Sequence, residues 1–353
     1  MTNNFPWLLR VPTIFEPVRK NLFRKLEAVG ETRLGQDYYL VRSVSEDTLH
    51  DSDWSKFLSW NLPMEHTWPC NARKMEGFIE KAAQTLKKKF AHRKPQGVFA
   101  GPLNPGSPDK YYKGLASNLR GRVQQLFPDL AVSSVEEQDP EKETLFCLVG
   151  KEGLFCGMQS SQQCQGFSPG GSLYIDRDAP DSISRAGAKI AEALHYLKLY
   201  RPPLAEGSHW IELGASPGGM TLELLNRKQQ VTAIDRAPMD KRLKGAPGLH
   251  AVLADVAAYQ PKENTSYDAM LSDLNGPPTE SIGHVNRLAA FLKPHGLVIF
   301  TLKVPRVENL EAPCAVFDEI VHSARGAQLQ LLAETHLTGN RHEFTLFFEK
   351  RRF

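Results

Sequence analysis

The sequence predicts an α/β fold for residues 172–353, with a seven-stranded, mostly parallel, doubly wound sheet, and an α+β region before it. Three observations support this fold class. Short apolar runs alternate with helical segments throughout the C-terminal half, which is the pattern of crossover connections between parallel strands. The length of 353 residues exceeds that of one ordinary domain. The composition, 41% hydrophobic and 24% charged, is typical of a globular protein.

The N-terminal region is predicted to contain two α+β modules, residues 1–55 and residues 60–165. In the first, apolar residues recur at helical spacing from Phe15 to Val29 between two strands, which predicts a small β-α-β unit. The second combines two amphipathic helices with strands and a hairpin that turns at a Gly-Lys-Glu-Gly sequence. The predicted elements are strands at 7–11, 38–41, 98–100, 144–149 and 154–158, and helices around 75–86 and 112–126.

A polar linker at 159–171 precedes the large sheet, whose strands are predicted from seven apolar runs. Because ligands of such sheets bind at the carboxyl ends of the strands, functional residues are expected there. The last two runs lie close together in the sequence, which predicts an antiparallel pair that closes the sheet. The runs are at 209–213, 231–234, 251–254, 269–271, 297–302, 329–333 and 344–348.

Cations are grouped between Arg73 and Arg122, in the second predicted module, although the net charge is only +3. Tyr111 and Tyr112 lie among them. This clustering is typical of a surface that faces phosphates, and equally of the solvated faces of two helices. Both interpretations remain open at this point.

The five cysteines are odd in number and lack Cys-x-x-Cys spacing, which predicts reduced thiols and no metal site. No run approaches 18 apolar residues, and residues 1–12 lack the pattern of a signal peptide. We therefore expect a cytoplasmic protein without a membrane segment.

A glycine-rich turn follows the first strand of the large sheet and leads directly into a helix. It contains Gly214, Ser216, Pro217, Gly218 and Gly219. Glycine lets a ligand approach the backbone closely, and a helix N-terminus offers free N–H groups. An NAD site would normally have G-x-G-x-x-G here, and the second glycine of that pattern is missing.

Two aspartates follow the next strands. Asp235 ends the second strand, where the ribose of a cofactor would present its hydroxyls, and Asp255 follows the third, where it would accept from an adenine amino group. Together with the turn they predict adenosine bound without a pyrophosphate, and hence S-adenosylmethionine. A nicotinamide-dependent oxidoreductase is the rival interpretation.

Lys189, Asp273, Lys303 and Glu343 are predicted at one end of the sheet, on the helix before the first strand, after the fourth strand, at the end of the fifth and at the start of the last. A ribose hydroxyl is a poor nucleophile, so methyl transfer to it needs a positioned base. A lysine can be that base when neutral, and burial and nearby cations favour the neutral amine. The sequence thus predicts Lys303 as the base, Lys189 as the group that orients the hydroxyl, and the two acids as positioning groups, with no metal.

Other methyl-transfer chemistries fit less well. Attack by a base amine often uses an acid or amide followed directly by Pro-Pro, whereas Leu-Asn-Gly separates Asp273 from Pro277. Carbon-5 methylation needs a nucleophilic cysteine. Cys314 resembles one in its Pro-Cys context but is predicted in or before a helix, where it packs.

With these residues, the C-terminal half resembles the FtsJ-like ribose 2'-O-methyltransferases, whose Lys-Asp-Lys-Glu tetrad corresponds in order to the four residues above. It is most similar to the RlmM group of large-subunit rRNA methyltransferases, which shares the Pro-Gly-Gly turn. That group's Ala-Pro and Ser-Arg patterns are matched by Ala179-Pro180 and Ser184-Arg185. Ser216 stands where the family usually has cysteine, and the Asp273-Leu-Asn-Gly loop also differs.

The resemblance implies a Rossmann-like methyltransferase domain at 172–353, a ferredoxin-like unit at 1–55 and a THUMP-like RNA-binding module at 60–165. It also implies a monomeric enzyme acting on a cytidine of 23S rRNA or its precursor. The residues expected to contact S-adenosylmethionine are Ser184, Ser216, Gly218, Asp235, Asp255 and Asp273. A non-catalytic RNA-binding or assembly factor that retains the fold is the alternative.

Overall fold

The computed structural model describes residues 6–42, 44–127, 129–171, 173, 175, 181–304 and 306–352. The chain divides into two compact units, Met1–Leu173 and Tyr174–Phe353. The Ala179-Pro180 pair and the first five residues of the first predicted module lie outside the described residues.

The N-terminal unit begins with a small antiparallel sheet. Its elements are β1 (Trp7–Arg10), α1 (Arg19–Lys25), β2 (Val29–Leu34), β3 (Tyr38–Arg42), α2 (Glu46–Asp51) and β4 (Trp60–Pro63). The strand order is β2-β3-β1-β4, and β1 pairs antiparallel with both β3 and β4.

The prediction of a β-α-β unit is wrong, because the helix ends earlier than predicted. The helix ends at Lys25, Glu27 and Gly30 adopt positive φ angles of 57° and 68°, and the chain reverses there. Val29 begins the additional strand β2, which forms a hairpin with β3. The strand at Tyr38 therefore runs antiparallel to β1, and residues 60–63, predicted in the second module, complete this first sheet.

A second sheet follows in the same unit. Its elements are β5 (His66–Pro69), α3 (Phe78–Phe90), β6 (Val98–Pro102), α4 (Tyr111–Leu126), β7 (Glu143–Gly150), β8 (Gly153–Ser160) and α5 (Ser161–Cys164). The order is β5-β8-β7-β6, with β6 and β7 parallel and the other pairs antiparallel. The two predicted helices and the predicted hairpin are confirmed; β5, only four residues long, was not predicted.

The strand β7 has both faces buried, and alternate residues join two different cores. Leu145 and Val149 pack in the core beneath α3 and α4, whereas Phe146 and Leu148 pack in a core with Trp60 of the first sheet. This two-residue alternation is that of a sheet covered on both faces. The two predicted modules thus share a core within one compact unit.

The C-terminal unit contains one large sheet with helices between its strands. Its elements are α6 (Ala186–Leu197), β9 (His209–Leu213), α7 (Gly219–Asn226), β10 (Gln230–Asp235), β11 (Leu249–Leu253), β12 (Tyr267–Ser272), α8 (Pro278–Leu288), β13 (Leu292–Lys303), α9 (Glu311–Gly326), β14 (Leu329–Thr335) and β15 (Glu343–Lys350). The order is β11-β10-β9-β12-β13-β15-β14. The prediction of a mostly parallel sheet closed by an antiparallel β14–β15 pair is confirmed.

The strand order reverses direction between β9 and β12, which creates a crevice at their carboxyl ends. Trp210, Ile211 and Leu213 of β9 are buried, so this strand is fixed in the centre of the sheet. The glycine turn follows β9, and Asp273 follows β12. Such a switch point is where sheets of this type bind ligands. Among the described residues, no helix has the length and apolarity to cross a bilayer.

Candidate active site

Four charged side chains of the C-terminal unit meet at the carboxyl end of the sheet. Lys189 Nζ donates to Glu343 Oε1 at 2.7 Å and lies 3.8 Å from Asp273 Oδ2. Lys303 Nζ lies 3.5 Å from Asp273 Oδ1. Their side chains are 15% to 28% exposed, so the group is partly shielded from water. The structure therefore brings together all four residues that the sequence placed at this end.

Backbone pairing explains why these side chains converge. Lys303 and Glu343 are direct cross-strand partners in the antiparallel ladder of β13 and β15. The N–H of Asp273 donates to Leu213 O at 3.1 Å, which ties the end of β12 to the end of β9. Lys189 is on α6, as predicted. Because each side chain is carried by an element with fixed neighbours, the cluster is preorganised.

The glycine turn after β9 has no room for side chains. A Cβ on Gly219 would lie 2.1 Å from Ser184 Oγ, and one on Gly218 would lie 2.3 Å from Leu243 Cδ1. Gly218 also has a φ of 110°, and Gly214 has a φ of 81°. Gly218 is the N-cap of α7, so free N–H groups point out of this turn.

The turn and Asp235 are linked by hydrogen bonds. Asp235 Oδ2 accepts from the N–H of Ser216 at 2.9 Å, and Oδ1 accepts from the N–H of Ala237 at 2.8 Å. Each carboxylate oxygen has a second lone pair available for a ligand hydroxyl. A cleft of about 470 Å³ opens beside Asp235 and is lined by Met239, Leu243 and Val252 among others.

Two orphaned polar atoms lie close to the turn and show whether a cofactor fits there. Ser184 Oγ and Asp273 Oδ1 are shielded from solvent, and neither has a hydrogen-bond partner among the described residues. Buried polar atoms are rarely left unpaired unless a ligand or water satisfies them. Gly214 adjoins Asp273, since its Cβ would lie 3.2 Å from Asp273 O. The residues present therefore fit a polar adenosine-type cofactor seated on the glycine turn.

Asp255 is a predicted cofactor residue whose side chain is 40% exposed and whose carboxylate is already paired. Its Oδ2 accepts from Arg236 Nη2 at 2.6 Å, and its Oδ1 accepts from the N–H of Ala257 at 2.9 Å. The N–H of Ala257, and then the Arg236 side chain, lower the pKa of Asp255. Asp255 therefore follows the end of β11 as predicted, but its carboxylate binds Arg236.

A buried acid, Glu212, lies beneath the turn and was not predicted as a site residue. Its Oε2 accepts from Thr221 Oγ1 at 2.6 Å, and the residue is only 2% exposed. Burial, with repulsion from Asp273 and Asp235, raises the pKa of Glu212 to about 8. A charged residue in the apolar run 209–213 was the sequence signal for it.

The loop after β12 contributes a second unpredicted contact. Asn275 Oδ1 accepts from Lys303 Nζ at 2.5 Å. Cys314, in contrast, is buried within α9, in agreement with the prediction that it packs. In the described ranges, no group of histidine, cysteine, aspartate and glutamate has the arrangement of a metal site.

Residues 182–329 match the family model of the FtsJ-like methyltransferases. The chain is 28% identical over 193 residues to ribosomal RNA large subunit methyltransferase M of Halorhodospira halophila, which covers 54% of each protein. It is 30% identical over 185 residues to that of Marinobacter nauticus, covering 50% of this chain and 49% of the relative. It is 36% identical over 137 residues to that of Cellvibrio japonicus, and the match covers 38% of this chain and 37% of the relative.

The chain spans about half the length of the curated relatives it matches, and less for the third. The matched residues include the glycine turn, Lys189, Asp273 and Lys303. The resemblance to the FtsJ-like family is confirmed for this part of the chain. The C-terminal unit, with its mostly parallel Rossmann-like sheet, contains an FtsJ-like methyltransferase domain.

Proposed function

We propose that this protein is an S-adenosylmethionine-dependent RNA ribose 2'-O-methyltransferase that acts on a cytidine of large-subunit (23S) rRNA or its precursor. The observation that supports the activity most directly is the contact network of Lys189, Asp273, Lys303 and Glu343 beside the glycine turn. The rRNA substrate is supported by the similarity to the large subunit methyltransferases M.

The four residues have distinct roles in this proposal. Lys303, as the neutral amine, accepts the proton of the 2'-hydroxyl. Lys189 orients the hydroxyl oxygen, and Asp273 and Glu343 hold the two amines in place through their ion pairs. The catalytic contribution of such a positioned base is about 10²–10⁴-fold.

S-Adenosylmethionine, when bound, would supply the methyl group for the ribose oxygen and would leave as S-adenosylhomocysteine. The glycine turn residues Gly214, Ser216, Pro217, Gly218 and Gly219 would hold it by backbone contact. Ser184, Asp235, Asp255 and Asp273 would provide polar side-chain contacts. The orphaned oxygens of Ser184 and Asp273 support this placement.

The N-terminal unit is proposed to bind the RNA, with the ferredoxin-like and THUMP-like parts at 1–55 and 60–165. Lys87, Lys88 and Lys89 are exposed at the end of α3 and support a phosphate-facing surface. Other cations of the cluster are already paired, for example Arg122 with Glu80 at 2.6 Å. We further propose a cytoplasmic, monomeric protein, as suits an enzyme that acts on rRNA.

The test is to incubate the purified full-length protein with methyl-labelled S-adenosylmethionine and large-subunit rRNA from a strain that lacks the gene. Ribose methylation is then mapped by resistance of the sugar-phosphate bond to alkali. We expect one new 2'-O-methylated cytidine. An unlabelled RNA, together with an unchanged methylation map in the deletion strain, would instead indicate the non-catalytic RNA-binding factor.

A further inference from the structure

The loop between β12 and α8 places an amide against the proposed base. Asn275 Oδ1 lies 2.5 Å from Lys303 Nζ, and Asp273 Oδ1 lies 3.5 Å from the same nitrogen. Both residues come from one loop, two positions apart, but only Asn275 accepts a hydrogen bond from Lys303. An ammonium only donates, so the atom of the Asn275 amide that faces Lys303 must be its oxygen.

The geometry of a lysine amine limits the directions in which its lone pair can point. Nζ is tetrahedral, with one bond to its side chain and three remaining directions. Asn275 Oδ1 accepts along one of them, whereas Asp273 Oδ1, at 3.5 Å, attracts the ammonium without accepting a hydrogen bond from it. In the neutral amine one hydrogen stays on Asn275, which leaves the lone pair one of the two other directions.

The loop that carries Asn275 is itself held in place. Gly276 has a φ of 141°, which residues other than glycine rarely adopt, and it leads the chain into Pro277. Pro277 is the N-cap of α8 and Pro278 its first residue, which limits backbone freedom. At the other end, the N–H of Asp273 is bonded to Leu213 O.

Resting on the proposed function, we propose that Asn275 is a positioning residue that holds Nζ of Lys303 by accepting a hydrogen bond and so aims the amine at the substrate 2'-hydroxyl. The charged groups around Lys303 are Asp273 from the loop after β12, Glu343 from the paired strand β15, and Lys189 from α6, which is ion-paired to both acids. Asn275 is the uncharged member of this environment. Its oxygen aligns the amine without adding a third negative charge that would favour the ammonium form.

The experiment compares Asn275→Ala and Asn275→Asp with the wild type, using Asn226→Ala as the matched control. Asn226 is an exposed residue at the end of α7. Turnover with rRNA is measured against pH, with the KM for S-adenosylmethionine. We expect kcat to fall about 10–100-fold in Asn275→Ala, since misplacing a catalytic group by about 1 Å can have that effect. The KM for the cofactor should stay unchanged.

The pH dependence distinguishes positioning from structural support. Asn275→Asp adds a negative charge beside the amine, so the rise of rate with pH should move about one unit upward. Asn275→Ala removes an acceptor of the ammonium, and the rise should move downward. Equal losses of kcat in both variants, with unmoved profiles, would overturn the inference.

A second measurement does not depend on methyl transfer. In the cofactor-free full chain, the acetylation of Lys303 by a trace of acetic anhydride is followed against pH by peptide mass spectrometry, because only the neutral amine reacts. The midpoint should move up in Asn275→Asp, down in Asn275→Ala and not at all in Asn226→Ala. Unmoved midpoints refute the role of Asn275 even when the wild type methylates rRNA, whereas an inactive wild type with moving midpoints refutes the proposed reaction alone.

Discussion

The crevice of the C-terminal unit has two sides that differ in how firmly they hold their polar groups. On the side of β12, β13 and β15, the four charged residues are 15% to 28% exposed and joined to one another. On the side of β10 and β11, Asp255 is 40% exposed and its partner Arg236 is 75% exposed. The first side is organised before any ligand binds; the second is open.

The difference follows from position in the sheet. β12 and β13 have hydrogen-bonded neighbours on both sides, whereas β11 is an edge strand paired with β10. Leu253 at the end of β11 is 69% exposed. Substitutions on the central side should therefore change turnover strongly, and those at the edge should change cofactor affinity in a graded way.

The largest effect is expected for Lys303→Ala, which removes the proposed base from the central side. Turnover should fall about 10²–10⁴-fold, while calorimetry should give nearly unchanged affinity for S-adenosylhomocysteine. The matched control is Lys293→Ala, near the opposite end of the same strand, where the lysine pairs with Asp268 at 2.7 Å. Retained activity in Lys303→Ala would contradict the assignment of the base.

Glu212 is the buried acid of the central strand β9, and its raised pKa predicts that the stability of the fold depends on pH. Between its unfolded value of 4.5 and its folded value of about 8, the folded state binds the extra proton, so the contribution of Glu212 to stability is lost as the pH rises through this window. Glu212→Gln mimics the protonated acid and keeps an acceptor for Thr221. In urea unfolding, the free energy of unfolding of the variant minus that of the wild type should increase from pH 5 to pH 9 by on the order of a few kcal/mol. A difference that does not vary with pH would mean that Glu212 is ionised in the folded protein.

Asp235→Asn tests the open side, where the carboxylate accepts from two backbone N–H groups. The amide presents an N–H₂ to one of these donors and loses the charge, so affinity for S-adenosylhomocysteine should weaken about tenfold or more. Asp268→Asn makes the same change at the opposite end of the sheet, where the acid accepts from the N–H of His209. Equal affinities of both variants would exclude Asp235 as a cofactor contact.

The smallest effect is expected for Arg236→Ala. The exposed pair with Asp255 contributes little, and its loss frees the carboxylate, so affinity for S-adenosylhomocysteine should rise by no more than about threefold. Arg227→Ala, which breaks the exposed pair with Glu223 on α7, is the control. A loss of more than tenfold would show instead that Arg236 itself binds the cofactor.

The sequence predicted the central side better than the edge for a physical reason. Apolar runs identify buried strands, and the ends of neighbouring strands meet, so Asp273 and Lys303 could be brought together from the pattern alone. Strand β2 was not predicted because five of its six residues are exposed, so that buried and exposed residues do not alternate along it. The contacts of Asn275 and Arg236 depend on loop conformation and side-chain direction, which periodicity does not encode.

The order of strands in the large sheet has a consequence for synthesis of the protein. β15 is made after β14 yet lies between β13 and β14. A nascent chain that ends before residue 343 therefore leaves the edges of β13 and β14 open and lacks Glu343, the partner of Lys189. Because such long-range insertion is slow, this interval exposes pairing-competent backbone to neighbouring chains. Translation must pass this strand before a functional crevice exists.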